Sequence, residues 1–260
     1  MQKLLFVLFV SVLFLTSCSM HEEIDLSKEG NGHYQVAVDM STMFEMMKSM
    51  GGKEQIPDSL AKQKRDTTFS LANMIDSSGG TFTAEEKAYF HNGKMHLKMD
   101  MQENKMDLVM KFPVKNAIDL KNFFVVWTKV DSLNKLKKQQ SETEAQGNNE
   151  MPNPLAGGGL TGMADNLPVK PSPYIITDSS IERTAQTKEE VMGDMGEQAA
   201  GAAMFMNQVT MMTTIKLPRP VKKLEGKNVK LGDDKKSTFF TASLQDMLDD
   251  PKAATFKVIF

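Results

Sequence analysis

Cysteine is almost absent from this chain: Cys18 stands alone among 260 residues. A single thiol excludes intramolecular disulfides, CxxC redox chemistry and cysteine-based zinc sites. Charge of one sign is also lacking, with 31 basic against 33 acidic residues. That balance excludes a general nucleic-acid binder, which needs a net basic face to neutralise phosphates. Long apolar runs are missing too. The longest, Leu4 to Leu15, covers about 12 residues, whereas a membrane-spanning helix needs about 20. Histidine is scarce, and His21, His33, His91 and His96 form neither an HxH nor an HExxH pattern. No GxSxG elbow occurs.

What is present at the start reads as an address. A short basic opening with Lys3 leads into the apolar run, the length expected of a secretory signal peptide. Leu15-Thr16-Ser17-Cys18 then follows: an apolar residue, two small ones and a cysteine. This segment resembles the bacterial lipobox, in which the cysteine thiol accepts diacylglycerol before signal peptidase II cuts ahead of it. The resemblance implies residues 1–17 as a signal peptide, Cys18 as the lipidation site, and a membrane partner reached through the lipid anchor. Two or three acyl chains, at about 0.8 kcal/mol per buried CH₂, hold a protein stably where one chain is marginal. Ser19 is not the aspartate that resembles an inner-membrane retention signal, so the expected location is the outer membrane, on its periplasmic or surface face. Residues 18–23 then read as a lipidated tether whose acidic Glu22-Glu23 resembles a surface-export signal.

Beyond the tether, alternation predicts an α+β fold: antiparallel sheet built from hairpins, helices packed on one side, and a long flexible loop in the middle. Ile24 and Leu26, a turn through Gly30 and Gly32, then Tyr34, Val36, Val38 and Met40 make a first hairpin. Thr42 with Glu45, Thr83 with Glu86, and Thr187 with Glu190 are three capping boxes that open helices. Met95 to Met101 and Met106 to Phe112 form a second hairpin; a two-residue turn would set Met101 opposite Met106, and Pro113 would end the pairing. A helix is expected from Asp119 to Lys138, with an apolar stripe from Ile118 to Leu133. Residues 139–172, rich in Gln, Asn, Gly and Pro, are expected to be a flexible loop between one α+β lobe at 24–138 and a second at 173–260 packed with it. In the second lobe the strands run through Ile181, from Asn207 to Leu217, at Thr238 to Ala242 and at Thr255 to Phe260, with turns at Lys223–Lys227 and Gly232–Lys236.

The lipobox, the Gly30–Gly32 hairpin and the Leu217-Pro218 strand exit with its final hairpin resemble uncharacterised LppM-like envelope lipoproteins. That resemblance covers the ends of the chain and implies no catalytic residues. The leading expectation is therefore a lipid-anchored envelope protein with a non-enzymatic binding or structural role, with no catalytic, cofactor or metal residues assigned, no cofactor and no nucleic-acid partner. The sequence names no protein or glycan partner. Methionine supplies an alternative. Twenty-two occur, and Met43/Met46, Met47/Met50, Met99/Met101, Met192/Met195 and Met204/Met206 have spacings suited to Cu(I). Against that, Met95, Met99, Met101, Met106 and Met110 keep the apolar phase of their strands, as core filler would. A hydrolase using unassigned carboxylates is a further alternative. Short sequences around Ser59, Thr67 and Ser132 resemble an O-glycosylation acceptor of exported bacterial proteins.

Overall fold

A computed structural model describes residues 18–41, 64–144, 173–188, 190 and 209–260, with side chains of the long helix described to residue 137. The fold is α+β, as the alternation predicts, with two mostly antiparallel sheets.

The chain enters its sheet at once. Strand β1 (Cys18–Asp25) pairs antiparallel with β2 (Gly32–Asp39), so that Asp25 opposes His33 and Met20 opposes Val38. The segment expected to be a tether is thus the fourth of eight strands. The reason lies in its alternation: Glu22, Ile24 and Leu26 point into the core while His21, Glu23 and Asp25 do not. Gly30 supplies the positive φ of the turn, at 76°. Gly32 is glycine for a different reason: a Cβ there would lie 2.5 Å from the Asp25 carbonyl oxygen and 2.8 Å from that of Val114.

Next come β3 (Lys64–Ser70), a short helix α1 (Ala72–Asp76) and α2 (Ala84–His91). The Thr83 box forms as predicted, the hydroxyl accepting from Glu86 N–H and the Glu86 carboxylate accepting from Thr83 N–H. Strands β4 (Lys94–Asp100) and β5 (Lys105–Val114) form the methionine hairpin in a corrected register: Met99 opposes Met106 and Leu97 opposes Leu108. Four residues turn instead of two, because the Asp100 carboxylate accepts from the N–H groups of Gln102 and Glu103 and Asn104 adopts a φ of 54°. A slip of two residues keeps every methionine on its face, so the core is unaffected. Pro113 does not end the pairing as expected: the β4 ladder already stops at Lys111, and the β2 ladder runs past the proline to Val114.

Helix α3 (Ala117–Glu144) is longer than expected and runs past the predicted loop boundary at 139. Leu120, Phe123, Phe124, Trp127 and Val130 are buried, but Ile118 is exposed. Strands β6 (Tyr174–Ile176) and β7 (Ser180–Arg183) follow, then β8 (Val209–Lys216), β9 (Lys223–Glu225), β10 (Val229–Leu231) and β11 (Ser237–Ser243). Helix α4 (Leu244–Asp249), a 3-10 turn at Pro251–Ala254 and β12 (Phe256–Ile259) close the chain. The region expected as a turn at Lys223–Lys227 is strand β9 at its start, because Val258 and Lys257 pair with it. The predicted helix at Thr42 and most of that opened by Thr187 lie outside the described residues, as do residues 145–172.

The large sheet has the order β10-β11-β8-β1-β2-β5-β4-β3 and the small one β6-β7-β12-β9. All neighbours are antiparallel except β1 with β8, which run parallel. This order replaces the two expected lobes: β1 to β5 come from before the long helix and β8, β10 and β11 from after it, yet they share one sheet. Helix α3 and the small sheet lie on the same side of it. Tyr34 meets Phe123, Phe124 and Trp127 at ring distances of 5.5, 5.0 and 5.5 Å, and Phe124 meets Tyr174 at 5.3 Å. Each such aromatic contact adds about 0.5–1.5 kcal/mol beyond area burial. The opposite face of the sheet carries Thr241, Met212, His21, Ala37, Val109, His96 and Thr68 in one cross-strand row.

Candidate functional site

Strands β1 and β2 carry polar chemistry on both sides of the sheet, and the alternation of a strand decides which residue goes where. Glu22 and Glu23 are neighbours in sequence and therefore face opposite ways.

On the inner side Glu22 is 1% exposed. Its Oε1 accepts from the Tyr34 hydroxyl at 2.6 Å, and its Oε2 accepts from Tyr174 at 2.5 Å and Thr213 at 3.2 Å. Arg183, also 1% exposed, donates from Nη1 to the Thr213 hydroxyl at 3.4 Å and lies with its guanidinium carbon 5.4 Å from the Phe240 ring centre. Among the described residues its Nη2 meets the Met211 sulfur, at 3.9 Å, and its Nε has no hydrogen-bond partner. Two buried opposite charges are therefore joined through one threonine hydroxyl rather than by a direct ion pair. Burial first, and the neighbouring Glu22 charge second, push the Tyr34 and Tyr174 hydroxyls well above the usual tyrosine range. Both phenols thus stay donors at physiological pH. The group ties β1, β2, β6, β7 and β8 together and so clamps the small sheet onto the large one.

On the outer side Glu23, Asp25 and His33 converge, each partly buried, with one ligand-type atom apiece lying within 4.8 Å of the others. His33 Nε2 is 2.9 Å from Glu23 Oε1, and Lys216 Nζ is 3.0 Å from Glu23 Oε2. Asp25 Oδ1 accepts from the Ser27 N–H at 2.9 Å and the Ser27 hydroxyl at 2.6 Å. Desolvation raises the pKa of both carboxyls, but hydrogen bonds and nearby positive charge outweigh it and hold both below their ordinary values. For Glu23 the opposing groups are Lys216 and His33; for Asp25 they are Ser27, His33 and Lys216.

The other residues singled out from the sequence are dispersed. Cys18 is the first residue of β1. His21 Nε2 lies 3.0 Å from the Thr214 hydroxyl. His91 and His96 take separate partners, Asp76 and Asp66, despite their closeness in sequence. Met95, Met99, Met101, Met106 and Met110 are all buried on the core phase; the pairs at 43/46, 47/50, 192/195 and 204/206 lie outside the described residues. Outside that set, Asp234 accepts from the Lys236 and Ser237 N–H groups and Asp250 caps the 3-10 turn. Thr67 and Ser132 are exposed, on β3 and α3, and Ser59 lies outside the described residues.

The Glu23–Asp25–His33 cluster was not expected from the sequence. Its signal was a Glu-x-Asp pair on one strand phase and a histidine just past the glycine turn, which the hairpin register brings opposite Asp25. The Glu22 clamp was hidden more deeply, because Tyr174, Arg183 and Thr213 are remote in sequence. No family model matches this chain, and neither a curated protein nor a solved structure matches it.

Proposed function

We propose that this is a lipid-anchored protein of the bacterial cell envelope, acylated on Cys18, with a non-enzymatic binding or structural role. The single observation that carries the reading is the Leu15-Thr16-Ser17-Cys18 segment after an apolar run too short to span a membrane. Cys18 is itself a residue of β1 and pairs with Val209 of β8, so acylation there would join the lipid directly to the sheet.

The same position gives the anchor a consequence. With no spacer between the acylated residue and the sheet, the end of the sheet that carries Cys18 is the end that faces the bilayer. Cross-strand register puts Val209, Met40 and the Met101–Asn104 turn at that end. The protein would stand as a platform on the membrane, its strands running away from it. Ser19 in the position after the acylated cysteine supports the outer membrane as its location. Glu22 and Glu23 have structural partners, so the export role expected of them gains no support from their geometry.

Radiolabelled palmitate and fractionation of cells test the reading. The native protein is expected to incorporate label and sediment with outer membranes, and Cys18→Ala to lose both properties. A Cys18→Ala protein that still fractionates with membranes as the native one does would overturn it. Protease treatment of intact and lysed cells then assigns the face: loss from intact cells means surface display, and survival until lysis means a periplasmic role.

A further inference from the structure

We propose that Glu23, Asp25 and His33 form a binding site for a divalent transition metal of the zinc class, a property independent of acylation. Three features of the geometry argue for it.

First, the ligand set is mixed: one imidazole nitrogen and two carboxylate oxygens, with their atoms within 4.8 Å of one another. Tetrahedral zinc with bonds of about 2.0–2.2 Å sets its ligand atoms about 3.3–3.5 Å apart. Moving the Glu23 Oε1 to His33 Nε2 distance from 2.9 Å to that value takes a few tenths of an ångström. Imidazole beside carboxylates suits zinc and its neighbours in the first transition row, whereas Cu(I) selects thioethers and Ca²⁺ an all-oxygen shell.

Second, each carboxylate has one oxygen held by a partner outside the three candidate ligands. Lys216 holds Glu23 Oε2, which leaves Oε1 towards His33. Ser27 takes Asp25 Oδ1 with two donors, so Oδ2 is the oxygen available to a metal. Outer partners that orient first ligands in this way are the usual support of a metal centre.

Third, the ligands stand on two paired strands deep within an eight-stranded sheet, so their spacing is fixed by backbone register instead of by loop conformation. A metal would take His33 through Nε2, which requires the neutral imidazole with its one proton on Nδ1 and any further proton released to water. Water would complete the coordination.

The test is calorimetric titration of the full-length protein in detergent with Zn²⁺, followed by Co²⁺ and its visible spectrum. The expected result is one saturable Zn²⁺ site and a tetrahedral Co²⁺ spectrum lacking thiolate charge transfer. His33→Ala, Asp25→Asn and Glu23→Gln are each expected to weaken binding tenfold or more, while His96→Ala, on the same face but paired elsewhere, leaves it unchanged. Thermal melts of each variant separate lost ligands from lost fold, and Asp25→Asn keeps the shape of its parent side chain. Absence of saturable Zn²⁺ binding, or equal binding by the native protein and a folded His33→Ala or Asp25→Asn variant, would overturn the proposal.

Discussion

The two sides of the β1–β2 hairpin hold similar inventories and do different work with them. The inner side has a carboxylate, a guanidinium and three hydroxyls; the outer side has two carboxylates, an imidazole and an ammonium. Inside, the charges are sealed from water, so each hydroxyl to Glu22 is a structural bond whose loss strands a buried charge. Outside, the same types of group remain partly wet and each keeps some capacity for another partner. Adjacent glutamates thus differ by one step of strand pleat and diverge in role. What separates a clamp from a candidate site is desolvation, not residue type.

The comparison is broken most severely from the inside. Glu22→Ala or Arg183→Ala should each destabilise by about 3–5 kcal/mol, because each leaves the other charge buried. Glu22→Ala combined with Arg183→Ala should cost less than the two single changes summed, since the pair is removed together. Urea unfolding of the four proteins reads both statements. Tyr34→Phe or Tyr174→Phe should each cost about 1.5–3 kcal/mol, the value of a hydrogen bond to a charged group.

Alkaline pH weakens the inner side without mutation. Both tyrosines have raised pKa values in the fold, whereas an unfolded tyrosine loses its proton near about pH 10. Below that pH both states hold the proton and stability is unaffected. Above it the unfolded chain releases protons that the fold retains, so stability falls as pH rises. Melting temperature followed from pH 8 to 11 should show the fall, and a Tyr34→Phe, Tyr174→Phe double variant should flatten it. The smallest effect belongs to the outer side. Glu23→Gln should change stability by about 1 kcal/mol or less, because its ion pairs are partly solvated. A cost as large as that of Glu22→Ala would erase the distinction between the faces.

Much of the fold was legible because strand phase is local. The alternation of Tyr34 and Val36 in β2, of the methionines in β4 and β5, and of Thr213 and Ile215 in β8 with Leu217 just past its end each names its buried face. The capping box at Thr83 likewise closes within four residues. What was not legible is pairing across long separations. The parallel pairing of β1 with β8 joins Cys18 to Val209, and no local pattern announces it. For the same reason Cys18 to Glu23 reads as a polar tether in sequence: its polar residues have partners, Tyr34, Tyr174, Thr213, His33 and Lys216, supplied by other strands. The β4–β5 register was missed over a shorter distance, because the Asp100 and Asn104 turn chemistry competes with the simpler two-residue hairpin.

The central claim is that the chain is already sheet at Cys18, the residue proposed to be acylated, with no flexible link between that residue and the fold. Hydrogen exchange of the Ser19–Asp25 backbone in the detergent-solubilised protein tests it most directly. Flanked by β2 on one side and β8 on the other, these amides should exchange as slowly as those of β2 and β5, opening only with the whole sheet. Exchange within seconds, at the rate of an unstructured segment, would contradict it and return residues 18–23 to the role of a tether.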